Sequence, residues 1–291
     1  MPAAQPPTAA ESGTFQLGGD LPIHRLGFGA MRLTGTGIWG EPRDRAEAIR
    51  VLRRAVDLGV NFIDTADSYG PEVSETIIAE ALHPYPRTLV IATKGGLVRP
   101  GPDQWEPDGS PRHLREALEG SLRRLRLDRI DLYQFHRPDP KVPFEESVGT
   151  LADLRREGKI RHVGLSNVTT AQLDTARRIV PIVSVQNRYN LVDRASEPVL
   201  DACQREGLAF LPWFPLATGN LTHSGGALDR VAAEHDRAPG QIALAWLLRR
   251  SPVVVVIPGT SSVAHLEENV AASGIHLSRH QVDHLEQSTN A

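Results

Sequence analysis

The sequence predicts an α/β protein folded as a single (β/α)8 barrel of the TIM type, with an N-terminal β-hairpin covering the barrel floor. Short runs rich in Val, Ile and Leu alternate eight times with helical patterns, and continuously apolar runs are typical of parallel strands covered on both faces. The composition stays even after residue 13, and 291 residues suit one barrel. We therefore predict one domain over 14–291, preceded by a disordered tail over 1–13.

The predicted strands follow one another at intervals that leave room for a helix. A first pair of runs within 14–26, separated by Gly-Gly-Asp, predicts the hairpin. The eight barrel strands are then predicted at 25–31, 60–64, 88–93, 129–135, 160–165, 182–186, 208–214 and 253–257.

Several predicted helices have recognisable ends. Asp44 with Glu47 resembles a capping box, and Gly59 ends the same helix. Ser110 followed by Pro111 begins another helix. The apolar stripes are Ile49, Leu52 and Val56 in the first of these helices and Leu114, Leu118, Leu122 and Leu125 in the second, and further helices are predicted over 144–157, ended by Gly158, and from Pro239.

Composition excludes several classes of function. Lys plus Arg number 32 against 35 for Asp plus Glu, so no basic excess supports nucleic-acid binding. The single Cys203 excludes internal disulfides. The N-terminal segment lacks the pattern of a secretory signal, and no apolar run approaches the ~20 residues of a membrane helix. We expect a cytoplasmic protein without a membrane partner, either a monomer or a weak homo-oligomer.

The motif GTGIWG at 35–40 fits the G-x-G-x-x-G pattern of a dinucleotide-binding turn, with Asp64 as its ribose acid. That pattern needs the glycine turn to run directly into a helix, where the helix dipole meets pyrophosphate. Pro42 and neighbouring charged residues separate Gly40 from the helix. We therefore interpret 35–40 as a rim loop in which Trp39 contacts substrate, with an NAD-dependent Rossmann-type dehydrogenase as the alternative.

Four reactive side chains lie at or just after the ends of neighbouring predicted strands: Asp64, Tyr69, Lys94 and His136. In a parallel barrel, these ends form the face that carries active sites. The plain alternative is that strand ends turn polar where they meet solvent. A phenol with a pKa near ~10 becomes a better acid beside an ammonium that a carboxylate holds in place. This combination predicts protonation of a carbonyl during hydride transfer.

Six segments resemble, in the correct order, the motifs of the aldo-keto reductase family: GVNFIDTADSYG, IATKGG, YQFHRPDP, GKIRHVGLSN, SVQNRYN and IPGTSSVAHLEEN. The resemblance covers roughly 14–290. It implies a barrel that binds NADP(H) and carries a catalytic tetrad. In this sequence Tyr69 would be the general acid, Lys94 and Asp64 its tuning pair, and His136 the group that orients the carbonyl.

The same resemblance implies a cofactor site. Ser166, Asn167 and Gln186 correspond to hydrogen-bond partners of the nicotinamide carboxamide, and Trp213 to the aromatic side chain stacked on the nicotinamide ring. Further cofactor contacts are implied for Met31, Asp64, Phe214, Pro215, Leu216 and Ala217.

The segment for the adenosine 2′-phosphate departs from the family pattern. Gly259 and His265 replace the usual Lys and Arg, so two fixed charges are missing. The resemblance leaves hydroxyl donors for the phosphate and two adenine contacts. We predict NADP(H), with NAD(H) as the alternative cofactor. The residues implied here are Gly259, Thr260, Ser261, Ser262, His265, Glu268 and Asn269.

The substrate is predicted to be a small carbonyl compound. PWFPL together with IPGTSSVAHLEEN resembles a subgroup that includes bacterial pyridoxal reductases, which suggests a small, planar, polar aldehyde. Specificity would depend on the loops 34–43, 95–110 and 216–227.

Two further alternatives come from other functional classes. One is a cofactor-binding barrel that serves a regulatory or interaction role with little turnover. The other is a lyase or hydrolase, which would need paired carboxylates or metal ligands at the rim. His276, His280 and His284 have helical spacing but no carboxylate or thiolate to complete a site, so we predict no metal.

Overall fold

The computed structural model describes residues 7–215 and 226–288, and its centre is a sheet of parallel strands. The hairpin strands are β1 (Thr14–Leu17) and β2 (Leu21–His24), and the sheet strands are β3 (Phe28–Gly29), β4 (Phe62–Asp64), β5 (Val90–Gly95), β8 (Ile130–Phe135), β9 (Ile160–Ser166), β10 (Ile182–Arg188) and β11 (Ala209–Trp213); β6 (Leu97–Val98) and β7 (Glu106–Pro107) form a separate pair. The seven sheet strands are hydrogen-bonded in the order β11-β10-β9-β8-β5-β4-β3.

The eighth predicted strand, 253–257, closes the sheet into a barrel. Phe210 of β11 bridges to Val254 in parallel. Leu26, just before β3, bridges to Val256 in the same sense. The run therefore lies between the two edge strands of the seven-stranded sheet, and the barrel prediction is confirmed.

The antiparallel hairpin β1–β2 covers the floor of the barrel, as predicted. Leu17 and Ile23 are completely buried and belong to the cluster of apolar side chains inside the barrel. Phe62, Val90 and Leu132, which lie toward the amino ends of their strands, belong to the same cluster. The hairpin and this apolar cluster exclude water from the lower half of the barrel. A site can therefore form at the opposite end, where the carboxyl ends of the strands lie.

Helices surround the barrel, and their predicted ends are confirmed. Asp44 accepts a hydrogen bond from the backbone N–H of Glu47 (2.8 Å), and Ser110 caps the helix that begins at Pro111. None of the helices in the described ranges is long and apolar enough to span a membrane. The helices are α1 (Arg45–Asp57), α2 (Val73–Leu82), α3 (Pro111–Leu125), α4 (Phe144–Arg156), α5 (Thr170–Arg177), α6 (Glu197–Glu206), α7 (Ala227–His235), α8 (Pro239–Arg250), α9 (Val263–Ala271) and α10 (Arg279–Ser288).

The apolar stripe of α1 differs from the prediction. Leu52 is buried as expected, but Ile49 and Val56 are only partly buried. Ala48, Val51 and Ala55 complete the buried face instead. This face packs where α1 meets its neighbours, α2 and α9.

The prediction of a disordered tail is wrong for residues 8–12. Ala9–Ser12 form a 3-10 helix, and Ala9 is completely buried. The Thr8 hydroxyl donates to the backbone oxygen of Leu58 (3.0 Å), and the backbone N–H of Leu26 donates to Ser12 (2.9 Å). These contacts tie the segment to the base of the barrel, an effect that a Pro/Ala-rich composition does not reveal. Residues 1–6 lie outside the described part of the chain.

The loop 95–110 is more regular than predicted. Its two short strands, β6 and β7, pair in antiparallel fashion, with Leu97 opposite Pro107 and Val98 opposite Glu106. Strands of two residues are too short to produce an alternating sequence pattern. Most of the third predicted specificity loop, 216–225 of 216–227, lies outside the described residues.

Candidate active site

Three neighbouring strands and the loop after β4 bring the predicted tetrad together. The ammonium of Lys94, at the end of β5, donates to Asp64 Oδ1 (2.6 Å) and to the hydroxyl oxygen of Tyr69 (3.2 Å). His136 follows β8 directly, and its ring lies 5.9 Å from the ring of Tyr69, centroid to centroid. All four side chains are buried, and Lys94 is completely inaccessible.

The carboxylate of Asp64 is held from both sides. While Oδ1 binds Lys94, Oδ2 accepts hydrogen bonds from Gln134 Nε2 (2.8 Å) and Gln186 Nε2 (2.9 Å). Gln134 was missed in the sequence. Its signal is a polar amide between Tyr133 and Phe135 near the end of β8, two residues before His136, so that the alternation of the strand places both side chains on one side of the sheet. These three hydrogen bonds fix the Asp64 carboxylate and, through it, the Lys94 ammonium.

Lys94 is charged at neutral pH. Burial acts to lower the pKa of its amine, but the attraction of Asp64 and the hydrogen bonds to Asp64 and Tyr69 outweigh burial, so the pKa lies above its ordinary value. The backbone oxygen of Thr65 accepts a third hydrogen bond from Nζ (2.8 Å). All three donors of the ammonium are therefore directed to fixed oxygen atoms.

The expected acidification of Tyr69 is not the net result. Burial raises the pKa of the phenol above its ordinary value, and the Lys94 ammonium acts in the opposite direction without overcoming it. The prediction from the sequence depended on the charge of Lys94 alone. The cost of desolvating a phenolate depends on burial, which the sequence does not give. Tyr69 consequently remains protonated at neutral pH, which is the form that a proton donor needs.

His136 is neutral in this environment. Burial lowers the pKa of its imidazole well below the usual value, and the charges of Lys94, Arg137 and Arg99 lower it further. Ser68 Oγ lies 3.4 Å from Nδ1. The other ring nitrogen, Nε2, is therefore the one that can contact a substrate.

A cavity of about 340 Å³ opens above these side chains. It contains most of the residues to which the family resemblance assigns a role. Eight lining residues were not predicted individually: Gly29, Arg32, Ile38, Leu97, Trp105, Arg137, Ile257 and Pro258. The predicted residues that line it are Met31, Asp64, Tyr69, His136, Ser166, Asn167, Gln186, Trp213, Phe214, Pro215 and Gly259.

One side of the cavity combines an aromatic plane with amide and hydroxyl groups. Trp213 Nε1 donates to Asn167 Oδ1 (3.1 Å), which fixes the indole. Asn167 Nδ2 donates to Ser166 Oγ (2.9 Å) and to the backbone oxygen of His136 (3.0 Å). Asn167 has a φ of 58°, a left-handed conformation that asparagine tolerates better than most residues. This wall can stack a flat heteroaromatic ring and hydrogen-bond a carboxamide.

Other predicted contacts lie away from the central cavity. Ser261 lines a second, neighbouring cavity, and Glu268 lines an open cleft beside α8 and α9. Trp39 is not among the residues that line the central cavity; it bridges in parallel to Gly70, in the loop after Tyr69. Leu216 and Ala217 lie outside the described residues. Thr260 is buried, Ser262 and Asn269 are partly buried, and His265 is exposed.

The start of α9 already has an anionic partner. The backbone N–H of Val263 donates to Glu47 Oε1 (3.1 Å), and Arg50 binds the other oxygen of that carboxylate. The Glu47 side chain therefore accepts a hydrogen bond at the start of α9 and does not complete the predicted capping box at α1. Arg32 lines both the central cavity and the second one, so its charge lies where the two meet.

The glycine motif at 35–40 is a rim loop, as predicted. It contains a single 3-10 turn, Thr36–Ile38, and α1 begins only at Arg45 with its own Asp44 cap. Because the motif does not run into a helix and the sheet is a barrel, the Rossmann alternative is wrong. Within the described ranges, no group of three His, Cys, Asp or Glu side chains lies close enough to share a metal ion.

Known proteins resemble this chain over nearly its whole length. The model of the aldo/keto reductase family matches residues 25–290. An uncharacterized oxidoreductase of Schizosaccharomyces pombe is 54% identical over 270 residues, which cover 93% of this chain and 88% of the relative. Pyridoxine 4-dehydrogenase of Escherichia coli is 46% identical over 282 residues, which cover 94% and 98% of the two chains.

A solved structure is similar to this chain in fold. The aldo-keto reductase from Klebsiella pneumoniae in complex with NADPH has a TM-score of 0.81 and 28% identity, with 94% of each chain covered. Together with the tetrad geometry, the family match over residues 25–290 leads to one conclusion. The chain belongs to the aldo/keto reductase family of oxidoreductases.

Proposed function

We propose that this protein is an NADP(H)-dependent carbonyl reductase that converts an aldehyde or ketone to an alcohol. The observation that carries the proposal is the buried chain of hydrogen bonds from Asp64 through Lys94 to the Tyr69 hydroxyl at the base of the cavity. A regulatory barrel without turnover would not need a charged lysine buried against a phenol, so that alternative is not favoured.

Tyr69 is the proton donor in this proposal. Its oxygen accepts a hydrogen bond from Lys94, so its own hydrogen is free to point to a substrate oxygen in the cavity. As the carbonyl oxygen gains charge, Tyr69 gives up its proton and becomes a phenolate. The Lys94 ammonium stabilises that phenolate, and Asp64 keeps the ammonium charged and in place.

His136 orients the substrate. Because its imidazole is neutral, Nε2 can carry a hydrogen and donate it to the carbonyl oxygen without bringing a charge into the site. Its ring packs edge-on against Tyr69, with an angle of 81° between the planes. The two donors would thus converge on one oxygen atom and select a carbonyl group.

The residues present fit a nicotinamide cofactor. Trp213 offers an aromatic plane for the ring, and Ser166, Asn167 and Gln186 offer polar groups for its carboxamide. When bound, NADPH supplies the hydride that reduces the carbonyl carbon. The relative from Klebsiella pneumoniae, whose structure contains NADPH, supports the same choice of cofactor.

Arg32 supports a preference for NADP(H) over NAD(H). It is exposed at the junction of the central cavity with the second cavity, which Ser261 also lines. A guanidinium there would attract cofactor phosphates and replace some of the charge that is missing at Gly259 and His265. Glu47 at the start of α9 opposes a phosphate at that helix end, so Arg32 and Ser261 are the better partners.

A small aldehyde is the substrate class that we propose. The cavity is compact, and the relative that is 46% identical is a pyridoxine 4-dehydrogenase, so a pyridoxal-like ring is a suitable candidate. The location proposed for the reaction is the cytoplasm.

The function is tested by mixing the protein with NADPH and a panel of aldehydes and ketones that includes pyridoxal. The measurement is the oxidation of NADPH. The absence of oxidation with every compound of the panel would contradict the proposal.

The pH dependence of reduction follows from the two shifted groups. Tyr69 must be protonated, and its raised pKa keeps it so until the pH passes the ordinary phenol value of about 10. His136 has a lowered pKa and does not titrate near neutrality. We expect kcat/KM to be level between about pH 6 and pH 9 and to fall at higher pH. A change in kcat/KM centred between about pH 6 and pH 7 would contradict the assignment of a neutral imidazole to His136.

The Trp213→Ala substitution should weaken cofactor binding. Loss of the stacking plane is expected to raise the Kd of NADPH roughly 10-fold, measured by titration followed through protein fluorescence. Trp213→Phe, which retains a ring, is the control and should bind nearly as well as wild type. If Trp213→Ala bound NADPH with wild-type affinity, the stacking role of Trp213 would be rejected.

The same titration with NADH tests the cofactor preference. Tighter binding of NADH than of NADPH by the wild type would overturn that preference.

A further inference from the structure

A buried arginine connects three segments around the mouth of the cavity. Arg99, in the loop between β6 and β7, donates from Nη1 to the backbone oxygens of Ile38 (2.9 Å) and Ser68 (3.0 Å). Its Nη2 donates to the oxygen of Gly37 (2.9 Å), and its Nε to that of Gln104 (2.8 Å). One side chain thereby joins the rim loop 35–40, the loop that carries Tyr69 and the β6–β7 loop.

The same guanidinium covers one face of Trp105. The carbon atom at its centre lies 3.6 Å from the centroid of the indole ring, which is direct stacking. Trp105 in turn meets Tyr69 (6.3 Å between ring centroids, 84° between planes) and His136 (6.4 Å, 65°) edge-on. The indole is therefore fixed beside both groups that would contact the carbonyl oxygen.

Trp105 presents the rest of its ring to the cavity. It is only partly buried and lines the cavity together with the apolar side chains of Ile38, Leu97 and Phe214. Because Arg99 occupies one face, a molecule in the cavity can meet only the other face and the edges. The result is an apolar wall with a rigid aromatic plane next to the proton donor.

We propose that Trp105 is a platform for the ring of a planar aromatic aldehyde and that Arg99 is the positioning residue that holds this platform. The inference rests on the proposed carbonyl reduction and specifies its substrate class. A flat ring can lie against the indole with its aldehyde directed to Tyr69 and His136, whereas a puckered saturated ring of equal size makes poorer contact. Ring–ring contact of this kind gives a preference of roughly 2- to 10-fold.

Benzaldehyde and cyclohexanecarbaldehyde are matched probes, because each carries one aldehyde on a six-membered ring. The measured quantity is the ratio of their kcat/KM values, which removes effects common to both. We expect Trp105→Leu to lower the ratio roughly 2- to 10-fold and Arg99→Met to lower it in the same direction. Arg99→Lys should lie between wild type and Arg99→Met, since an ammonium cannot reach all four carbonyls. The Kd of NADPH should stay unchanged in all three variants.

Arg194→Met is the control, since Arg194 also lies over an indole, that of Trp246 (4.9 Å), but away from the cavity. It should leave the ratio unchanged. An unchanged ratio in Trp105→Leu would overturn the platform. If Arg99→Met lowered kcat/KM equally for both aldehydes, Arg99 would have a structural role and not the proposed positioning role.

Binding measurements separate this inference from the proposed function. The dissociation constants of benzyl alcohol and cyclohexylmethanol, measured with the wild type and Trp105→Leu, test the platform without turnover. We expect the wild type to favour benzyl alcohol and the variant to lose that preference; equal preference in both would contradict the inference. A wild type that reduces neither aldehyde, yet keeps the binding preference, would contradict the proposed function and not the platform.

Discussion

Tyr69→Phe is expected to reduce turnover by roughly 10²- to 10⁴-fold, the range for loss of a general acid, while NADPH binding stays intact. The hydroxyl is the only group removed, and its oxygen is the atom that accepts from Lys94 and faces the cavity. The ring contacts with Trp105 and His136 remain available to phenylalanine. The measurement is kcat for an aldehyde that the wild type reduces, alongside an NADPH titration.

A suitable control for Tyr69→Phe is Tyr85→Phe. Tyr85 is partly buried and, like Tyr69, uses its hydroxyl, which donates to the backbone oxygen of Leu125 (2.7 Å), but it does not line the cavity. Its variant should retain wild-type kcat. If Tyr69→Phe turned over substrate as fast as the wild type, the proton would have to come from another group.

Lys94→Met is expected to remove activity and stability together. The substitution leaves the carboxylate of Asp64 buried without its ammonium partner, and breaking a buried ion pair in this way costs about 3–5 kcal/mol of unfolding free energy. It also removes the charge that stabilises a Tyr69 phenolate, so we expect a loss of turnover of roughly 10²-fold or more. Denaturant unfolding and kcat for the same aldehyde provide the two measurements.

The double variant Asp64→Asn/Lys94→Met separates the two effects. Without either charge, the free energy of unfolding should recover much of the loss, because a buried pair replaced as a unit is often close to neutral in stability. The amide oxygen introduced at position 64 can still accept from Gln134 and Gln186, which donate to Asp64 in the wild type. Activity should stay low. A double variant as active as the wild type would show that the ammonium has no part in catalysis.

Much of the fold and the tetrad could be predicted because both depend on local patterns. Parallel strands are apolar along their whole length, so their ends in sequence are easily recognised, and their carboxyl ends must meet at one face of a barrel. Asp64, Lys94 and His136 each stand at such an end. The helix that begins at Ser110–Pro111 has a cap and an apolar face that need no knowledge of the rest of the chain.

Other features depend on contacts between distant segments. Arg99 stacks on Trp105 within one loop but bonds to Ile38 and Ser68, and no spacing in the sequence indicates that these segments meet. Glu47 was expected to complete a capping box, yet it binds the start of α9 more than 200 residues later in the chain. The pKa of Tyr69 was expected to fall, and it rises because burial, which composition does not report, exceeds the effect of Lys94.

Isotope transfer tests the central claim most directly. The wild type is mixed with an aldehyde that it reduces and with NADPH that carries deuterium at both positions of nicotinamide C4, and the alcohol is analysed by mass spectrometry and NMR. The account predicts one deuterium on the former carbonyl carbon for each NADPH oxidised, with the hydroxyl hydrogen drawn from water through Tyr69. An alcohol without deuterium at that carbon would contradict it.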